Sequence, residues 1–272
     1  MDAANNPEAA APAAVIHWAE AFMEALALGL FMVSAGVFGT ILEAPASPVH
    51  AAIANPFARR AIMGLIMGLT AIGLVYSPWG KRSGAHMNPA FTLTFWRLGR
   101  VKQPDAIAYV AAQFLGGLGG VLLVARLLGP AFLEPPVHAV ATMPGTAGVA
   151  AAFLAEAAIS FVLMSIVLAL GRSQRLGPYT GLIVGLIVCL YITFEAPISG
   201  MSMNPARTLA SAIPVRSWQG LWLYFTAPLV GMLAAAELHV RATGGTRGCA
   251  KLVHRFPCIF CGGVTSSTDG RS

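Results

Sequence analysis

Long apolar stretches alternate with short polar ones along this chain of 272 residues. An α-helix needs about 20 apolar residues to cross the hydrocarbon core of a bilayer, and six of the stretches are that long. The fold class that this pattern predicts is an all-α membrane protein. Its six predicted spans lie near residues 18–41, 58–78, 104–129, 148–170, 178–197 and 218–240.

Two further segments are too short to span, near residues 88–98 and 204–213, and each begins with the tripeptide Asn-Pro-Ala. Proline is well suited to the first turn of a helix, where its missing N–H has no partner to lose. We therefore predict two half-length helices that begin at Asn88-Pro89-Ala90 and at Asn204-Pro205-Ala206.

The sequences around these two segments are nearly the same. Residues 83–93 and 199–209 are identical at eight of eleven positions. Each copy lies in one half of the chain, about 18–130 and 148–240, and each half holds three spans and one half-helix. An odd number of spans turns the second half over, so the two copies form an inverted repeat whose half-helices meet near mid-membrane. A polar loop repeated in two apolar halves indicates a pore or binding site.

The composition indicates a membrane protein and argues against a soluble domain or a nucleic-acid-binding protein. The chain is 57% hydrophobic and 10% charged, with a mean hydropathy of +0.71. Soluble domains carry about 25% charged residues. The net charge of +6 is not arranged as a basic stripe with interleaved aromatics, so nucleic acid is not an expected partner. Residues 1–17 lack the basic start of a signal peptide and are predicted to be a disordered tail.

Lysine and arginine residues predict the orientation. With both termini inside, twelve lie on the cytoplasmic side and five on the other, although Arg59 and Arg60 run against the trend. We expect a multi-pass protein with cytoplasmic termini, in a bacterial inner (plasma) membrane. Three Gly-xxx-Gly stretches, at 64–68, 116–120 and 181–185, should pack helices within one subunit, with an oligomer face as the alternative.

At these residues the chain resembles the major intrinsic proteins, the family of aquaporins and aquaglyceroporins. The two Asn-Pro-Ala motifs, Ser83-Gly84-Ala85-His86 before the first and Arg207 after the second are family signatures, and the resemblance covers about residues 18–240. It implies six tilted helices, one pore per subunit, a homotetramer in lipid, no required cofactor and no enzymatic activity. The expected function is passive passage of water and other small neutral solutes.

The paired motifs suggest how such a pore would exclude protons. As helix N-caps, Asn88 and Asn204 accept from their own backbone N–H groups, which leaves their amide N–H groups to face the lumen. Two half-helix N-termini would add positive potential at the same point. The approach segments should be non-helical and line the pore with backbone carbonyls. Their predicted lining residues are Gly84, Ala85, His86, Gly200 and Ser202.

Arg207 and three apolar residues are the predicted selectivity filter. An arginine at membrane depth is a functional hypothesis, with an interfacial snorkelling residue as the alternative. By family resemblance the other positions are Ile192, Met201 and either Met67 or Gly68, of which we favour Met67. This ring differs from those of strict water channels and of glycerol channels. Thr208, Ala212 and Tyr224-Phe225 favour the aquaporin branch.

One carboxylate in the first span of each half is predicted to have a structural role. Glu24 and Glu156 should accept hydrogen bonds from the irregular loops. Glu20 is the alternative candidate for the role of Glu24. Ser160 completes a family pattern with Glu156. A proton relay is the alternative role for these carboxylates. His86 is expected to pack at the inner mouth, with pH sensing as the alternative.

The expected function is therefore a water channel, with permeability to glycerol, ammonia or a peroxide left open. The alternatives are a small-solute facilitator with little water flux, or a secondary transporter, since those also use inverted repeats and broken helices. A transporter would need a coupling-ion site, and the chain shows no cluster of intramembrane ionisable residues beyond the glutamates. A scaffold protein or an enzyme agrees less well with these sequence motifs.

The polar tail, residues 241–272, carries three of the four cysteines. Cys249, His254, Cys258 and Cys261 together offer three thiolates and one imidazole, a ligand set suited to tetrahedral zinc. In the cytosol such clusters bind metal more often than they form disulfides. The alternative is a disordered tail with incidental or palmitoylated cysteines. Cys189, in the fifth span, should face lipid or pack.

Overall fold

The computed structural model describes residues 15–245, 248–254 and 258–261, and within these ranges it contains helices and no strands. Short 3₁₀ turns occupy His138–Val140 and Gly177–Tyr179. The α-helices in chain order are α1 (Trp18–Glu43), α2 (Pro48–Ala52), α3 (Pro56–Tyr76), α4 (Pro78–Ser83), α5 (Pro89–Arg97), α6 (Gln103–Leu128), α7 (Pro130–Leu133), α8 (Gly148–Leu170), α9 (Thr180–Phe194), α10 (Ala196–Ser199), α11 (Pro205–Val215) and α12 (Leu221–Thr243).

Six of these helices, α1, α3, α6, α8, α9 and α12, are long and apolar enough to cross a membrane. This confirms the predicted fold class, and the predicted ends differ by only a few residues. All five tryptophans lie near helix ends with exposed fractions between 44% and 68%. Tryptophan is enriched at membrane interfaces. The chain is an integral, multi-pass membrane protein.

The half-helices α5 and α11 begin as predicted, at the proline of each Asn-Pro-Ala. An asparagine followed by proline also starts α3, where Asn55 Oδ1 accepts from Phe57 N at 2.9 Å. Within the described residues the pair therefore starts three helices, α3, α5 and α11. What distinguishes α5 and α11 is where they lie in the bundle.

The two halves pack as a pseudo-symmetric pair. Helix α1 lies along α6 in the first half, α8 lies along α12 in the second, and α3 packs on α9 across the boundary between the halves. Each half-helix also packs on the third spanning helix of the opposite half, α5 on α12 and α11 on α6, and α5 contacts α11. This exchange brings both Asn-Pro-Ala motifs to one place between the halves.

Glycines allow these close contacts within the chain. A Cβ at Gly116 would lie 2.0 Å from the Ala25 carbonyl oxygen, and one at Gly68 would lie 2.5 Å from the Gly185 oxygen. The Gly-xxx-Gly stretches thus pack α6 on α1 and α3 on α9. Cys189 is half-buried at the second of these contacts.

His17, directly before α1, binds to α6. The His17 backbone N–H donates to Asp105 Oδ1 at 2.9 Å, and its ring Nδ1 lies 2.9 Å from Asp105 Oδ2. His17 is the last residue of the tail that was predicted to be disordered, residues 1–17. Residues 1–14 lie outside the described residues.

Candidate functional site

The two Asn-Pro-Ala motifs face each other between the halves. Asn88 Oδ1 accepts from Ala90 N at 2.8 Å, and Asn204 Oδ1 accepts from Ala206 N at 3.1 Å and from Arg207 N at 3.2 Å. Each amide is thereby oriented with its oxygen towards its own helix. Both asparagines line one continuous cavity of about 450 Å³.

The asparagine N–H groups differ from the prediction in one respect. Asn88 Nδ2 donates to the Met203 carbonyl at 2.7 Å, and Asn204 Nδ2 donates to the Met87 carbonyl at 2.7 Å. Each amide has two N–H bonds, so one is used to bind the opposite loop and only the other is available to the cavity. The sequence alone predicted that the whole amide donor would face the lumen, because it could not show where the second loop's carbonyls lie.

The approach loops have the same unusual backbone in both halves. Gly84 and Gly200 are left-handed and end the preceding short helices, with φ of 106° and 83°. Four non-glycine residues also have positive φ, at values from 48° to 55°: Ala85, Met87, Met201 and Met203. Such conformations persist only where the surroundings enforce them, and they are found at functional sites. Ala85, His86, Gly200 and Ser202 line the cavity.

Two buried carboxylates impose this backbone. Glu156 is fully buried, and it accepts from Ser199 Oγ at 2.8 Å, Ser202 N at 2.6 Å and Met203 N at 2.7 Å. Ser160, the predicted companion of Glu156, is buried, and its Oγ has no hydrogen-bond partner within the described ranges.

Glu24 acts in the same way in the first half. It is fully buried and accepts from Ser83 Oγ, His86 N and Met87 N. The rival Glu20 instead forms an ion pair with Arg82 at 2.9 Å. The structure therefore places Glu24, and not Glu20, against the first loop.

Sequence reasoning missed three residues that complete these networks. Tyr109 donates to the Ser83 carbonyl at 2.8 Å, and Tyr224 donates to the Ser199 carbonyl at 2.5 Å. Gln113 Nε2 lies 3.0 Å from Glu24 Oε2. The available signal was the presence of one tyrosine in the third spanning helix of each half.

The four residues predicted to form a selectivity filter all line the cavity: Met67, Ile192, Met201 and Arg207. Gly68 faces α9 instead, as its contact with Gly185 shows. The rest of the wall is largely apolar, with Phe31, Met63 and Leu163 among its residues. Polar groups on the wall lie at the loops, at Arg207, and at Glu43 and Arg60.

Arg207 is the cation at the cavity wall next to the second motif. Its Nη1 atom is buried and has no hydrogen-bond partner among the residues that the structure describes. The nearby Glu156 carboxylate uses both oxygens to bind the loop. The guanidinium can therefore donate to a molecule inside the cavity.

One end of the cavity is in contact with the C-terminal tail. His86 Nε2 lies 2.8 Å from the Ala250 carbonyl oxygen, and Leu252 lines the cavity. Because a carbonyl only accepts, Nε2 is the protonated nitrogen of His86. The carbonyl of Gly84, which was predicted to line the pore, accepts from Leu252 N at 3.2 Å. We call this end the tail end.

The tail brings its cysteines and histidine together. One ligand atom from each of Cys249, His254, Cys258 and Cys261 lies within 4.8 Å of the others. The Cys249 and Cys258 sulfurs are 3.3 Å apart, and His254 Nε2 is 3.1 Å from Cys261 Sγ. The hydrogen bond from Cys249 lowers the pKa of the Cys258 thiol, whereas the same bond and burial raise the pKa of Cys249. The rest of the predicted tail, residues 246–247, 255–257 and 262–272, lies outside the described residues.

These ligand atoms fit the geometry of zinc. In a tetrahedral site with Zn–S bonds of about 2.3 Å, neighbouring ligands lie about 3.8 Å apart. The four atoms lie within 4.8 Å of one another, a spacing comparable with that distance. Three sulfurs and one imidazole nitrogen form one of the usual structural zinc ligand sets.

Six spanning helices around a cavity at which two half-helices meet define a membrane channel. The family model described as Major intrinsic protein matches residues 13–239. The chain is 36% identical over 184 residues to Probable aquaporin AqpM of Archaeoglobus fulgidus, an alignment that covers 65% of this chain and 74% of that protein. It is 31% identical over 223 residues to Probable aquaporin NIP7-1 of Arabidopsis thaliana, covering 82% and 76% respectively.

Among solved structures, the aquaglyceroporin from Plasmodium falciparum has the same fold. The TM-score is 0.69 at 20% identity, covering 82% of this chain and 95% of that one. This chain therefore belongs to the major intrinsic protein family. It is a passive channel for water and small neutral solutes, and like the family's other channels it is not an enzyme and needs no cofactor to conduct.

Proposed function

We propose that this channel conducts water and excludes protons and ions at the meeting point of its two half-helices. The observation that carries the proposal is the pair of asparagine amides, each capped by its own helix and bound to the opposite loop. Both amides are rigid, and each keeps one N–H for the cavity. A water that accepts from both can donate only away from them, which interrupts a chain of hydrogen-bonded waters.

The half-helices and Arg207 add an electrostatic barrier. Helices α5 and α11 both point their N-termini at the asparagines, so their dipoles place positive potential there. Arg207 adds a full positive charge on the cavity wall. Cations and protons therefore meet two successive barriers, while a neutral solute meets donors for its oxygen atoms.

The filter favours small neutral solutes over strict selection of water. Met67, Ile192 and Met201 offer no strong hydrogen-bonding groups, so Arg207 is the main polar partner at this level. With few polar partners, discrimination between water and similar neutral molecules is weak. Glycerol and ammonia are the solutes to compare with water.

We also propose an assembly and an orientation. The channel domain, about residues 18–240, forms a homotetramer with one pore in each subunit. Both termini lie in the cytoplasm of a bacterium whose inner membrane holds the protein, in agreement with the charge difference of twelve to five. The tail end of the cavity is then its cytoplasmic mouth, and Arg207 lies towards the outside.

In the tail we propose a structural zinc site. Cys249, His254, Cys258 and Cys261 would hold the ion, because one ligand atom from each already lies within 4.8 Å of the others. The channel itself does not require the ion.

Osmotic shrinkage of proteoliposomes tests the channel proposal. We expect water flux well above that of protein-free vesicles, with no rise in proton leak measured by an internal pH dye. The Arg207→Ala variant should raise the leak of small cations while it retains water flux, because the positive charge at the filter is lost. Arg126→Ala is the control, since it removes the same charge from an exposed position at the end of α6.

Water flux equal to that of empty vesicles, with folded protein present, would contradict the proposal. Equal cation leak in the Arg207→Ala and Arg126→Ala variants would show that Arg207 does not contribute to the barrier.

A further inference from the structure

The C-terminal tail lies in the cytoplasmic mouth of the cavity, where a solute would have to pass. Leu252 is part of the cavity wall and is 5% exposed, and its backbone N–H donates to the Gly84 carbonyl. That carbonyl belongs to the loop expected to line the solute path. The tail therefore occupies a hydrogen-bonding position that water would otherwise use.

A second set of contacts closes over His86. The Ala250 carbonyl accepts from His86 Nε2, and the ring of Phe260 stacks on the imidazole with centroids 5.8 Å apart. Phe260 also meets Tyr109 edge-on at 6.1 Å. Ala250 is completely buried. An apolar plug thus covers the polar groups of the inner mouth.

The same segment holds the four metal ligands, and the plug residues lie between them. Ala250 and Leu252 lie between Cys249 and His254 along the chain, and Phe260 lies between Cys258 and Cys261. No helix or strand supports residues 248–254 and 258–261. A short segment of this kind has little core of its own, so an ion that links the four side chains would largely determine its shape.

We propose that zinc bound by Cys249, His254, Cys258 and Cys261 shapes the tail into a plug that closes the cytoplasmic mouth of the channel. The inference rests on the proposed zinc site and on the proposed water channel. Zinc binds the closed state more tightly than the open state. By linkage, this difference in affinity determines how far zinc shifts the equilibrium towards the closed state. Loss of the ion releases Leu252 and Phe260 and leaves Gly84 and His86 open to solute.

The test compares zinc-loaded and metal-free full-length protein in proteoliposomes. Zinc is buffered by a chelator on both sides of the membrane, and a non-thiol reductant prevents a disulfide between Cys249 and Cys258. We expect one zinc per chain by metal analysis and a water permeability about tenfold or more lower with zinc than without it. The Cys258→Ser/Cys261→Ser double variant should bind no zinc and stay open.

Two further variants separate the plug from the metal site. Leu252→Gly keeps all four ligands, so it should bind zinc and yet remain permeable. Cys189→Ser is the matched control, since this cysteine lies in α9 away from the cluster, and its zinc response should equal that of the wild type.

Each other outcome overturns a distinct part of the proposal. Zinc bound with unchanged water flux would refute closure and leave the zinc site standing. Absence of bound zinc would refute both the zinc site and zinc-controlled closure, while flux through the metal-free protein would still support the channel. A Leu252→Gly variant that opens while the metal-free wild type stays shut would mean that the plug acts without metal. Lack of flux in every folded variant would refute the channel and the closure together.

Discussion

At the scale of single residues, the function depends on buried acids that hold strained loops. Glu24 and Glu156 are carboxylates in apolar helices, a placement that is costly unless donors surround them. Each meets this condition by accepting from two backbone N–H groups and a serine hydroxyl. The acids could be found in the sequence. Their partners could not, because the serines and loops lie 43 to 63 residues away along the chain.

Replacement of Glu156 by glutamine should destabilise the second loop. The amide NH₂ would face an N–H or hydroxyl donor and leave it unpaired, at a cost of about 1–3 kcal/mol for a buried donor. Thermal unfolding in detergent measures the effect. Glu237→Gln is the control, because its ion pair with Arg241 is exposed and should contribute less than about 1 kcal/mol. Equal melting temperatures for the two variants would contradict the assigned role of Glu156.

At the scale of helices, glycine positions determine how closely the elements approach. Helix α6 carries four glycines, two on each side of Leu118. Only some of them face another helix. Gly116 and Gly120 meet α1, whereas Gly119 has no neighbouring atom within 4 Å. The sequence identified the small-residue motif but not which glycine makes the contact.

Gly116→Ala and Gly119→Ala form a matched pair on α6. A methyl group at 116 would overlap the Ala25 carbonyl, so the helices must separate, and we expect a loss of about 1–3 kcal/mol or more. At 119 the methyl group enters open space, and the better helix propensity of alanine should leave stability equal or slightly higher. Unfolding midpoints measured in the same detergent compare the two. Similar losses at both positions would contradict the close contact of α6 with α1.

The element predictions succeeded where the signal was local. All six spans and both half-helices were predicted, since length, apolar content and Asn-Pro starts are properties of short segments. The short helices α2, α4, α7 and α10 were missed. Each is at most six residues long, too short for a hydrophobic period, and each has a proline in its first two positions.

At the scale of the whole molecule, the inverted repeat explains why two loops from distant parts of the chain form one site. The contacts of α5 with α12 and of α11 with α6 cross between halves. Each half alone would leave its half-helix and loop without these partners. The distribution of charge is the basis of the proposed orientation of this assembly in the membrane.

Cysteine labelling tests that orientation. Gln174 lies in the loop between α8 and α9, Gln219 lies in the loop between α11 and α12, and both are exposed. With cytoplasmic termini, a membrane-impermeant maleimide added to intact cells should label Gln219→Cys and not Gln174→Cys. Labelling of both after the membrane is permeabilised is the control. The reverse pattern would refute the proposed orientation.

The resemblance to a known family supplied the candidate filter, whereas the sequence by itself determined the number of spans, the inverted repeat and the half-helix starts. These depend on hydrophobicity, proline and motif spacing, which are read along the chain. Only the tertiary structure decided that Met67 and not Gly68 lines the cavity, that Glu24 and not Glu20 holds the first loop, and that each asparagine uses one N–H to bind the opposite loop. It also placed Leu252 of the tail in the wall of the cavity. Such contacts join residues far apart in the chain, so they arise only when the helices pack.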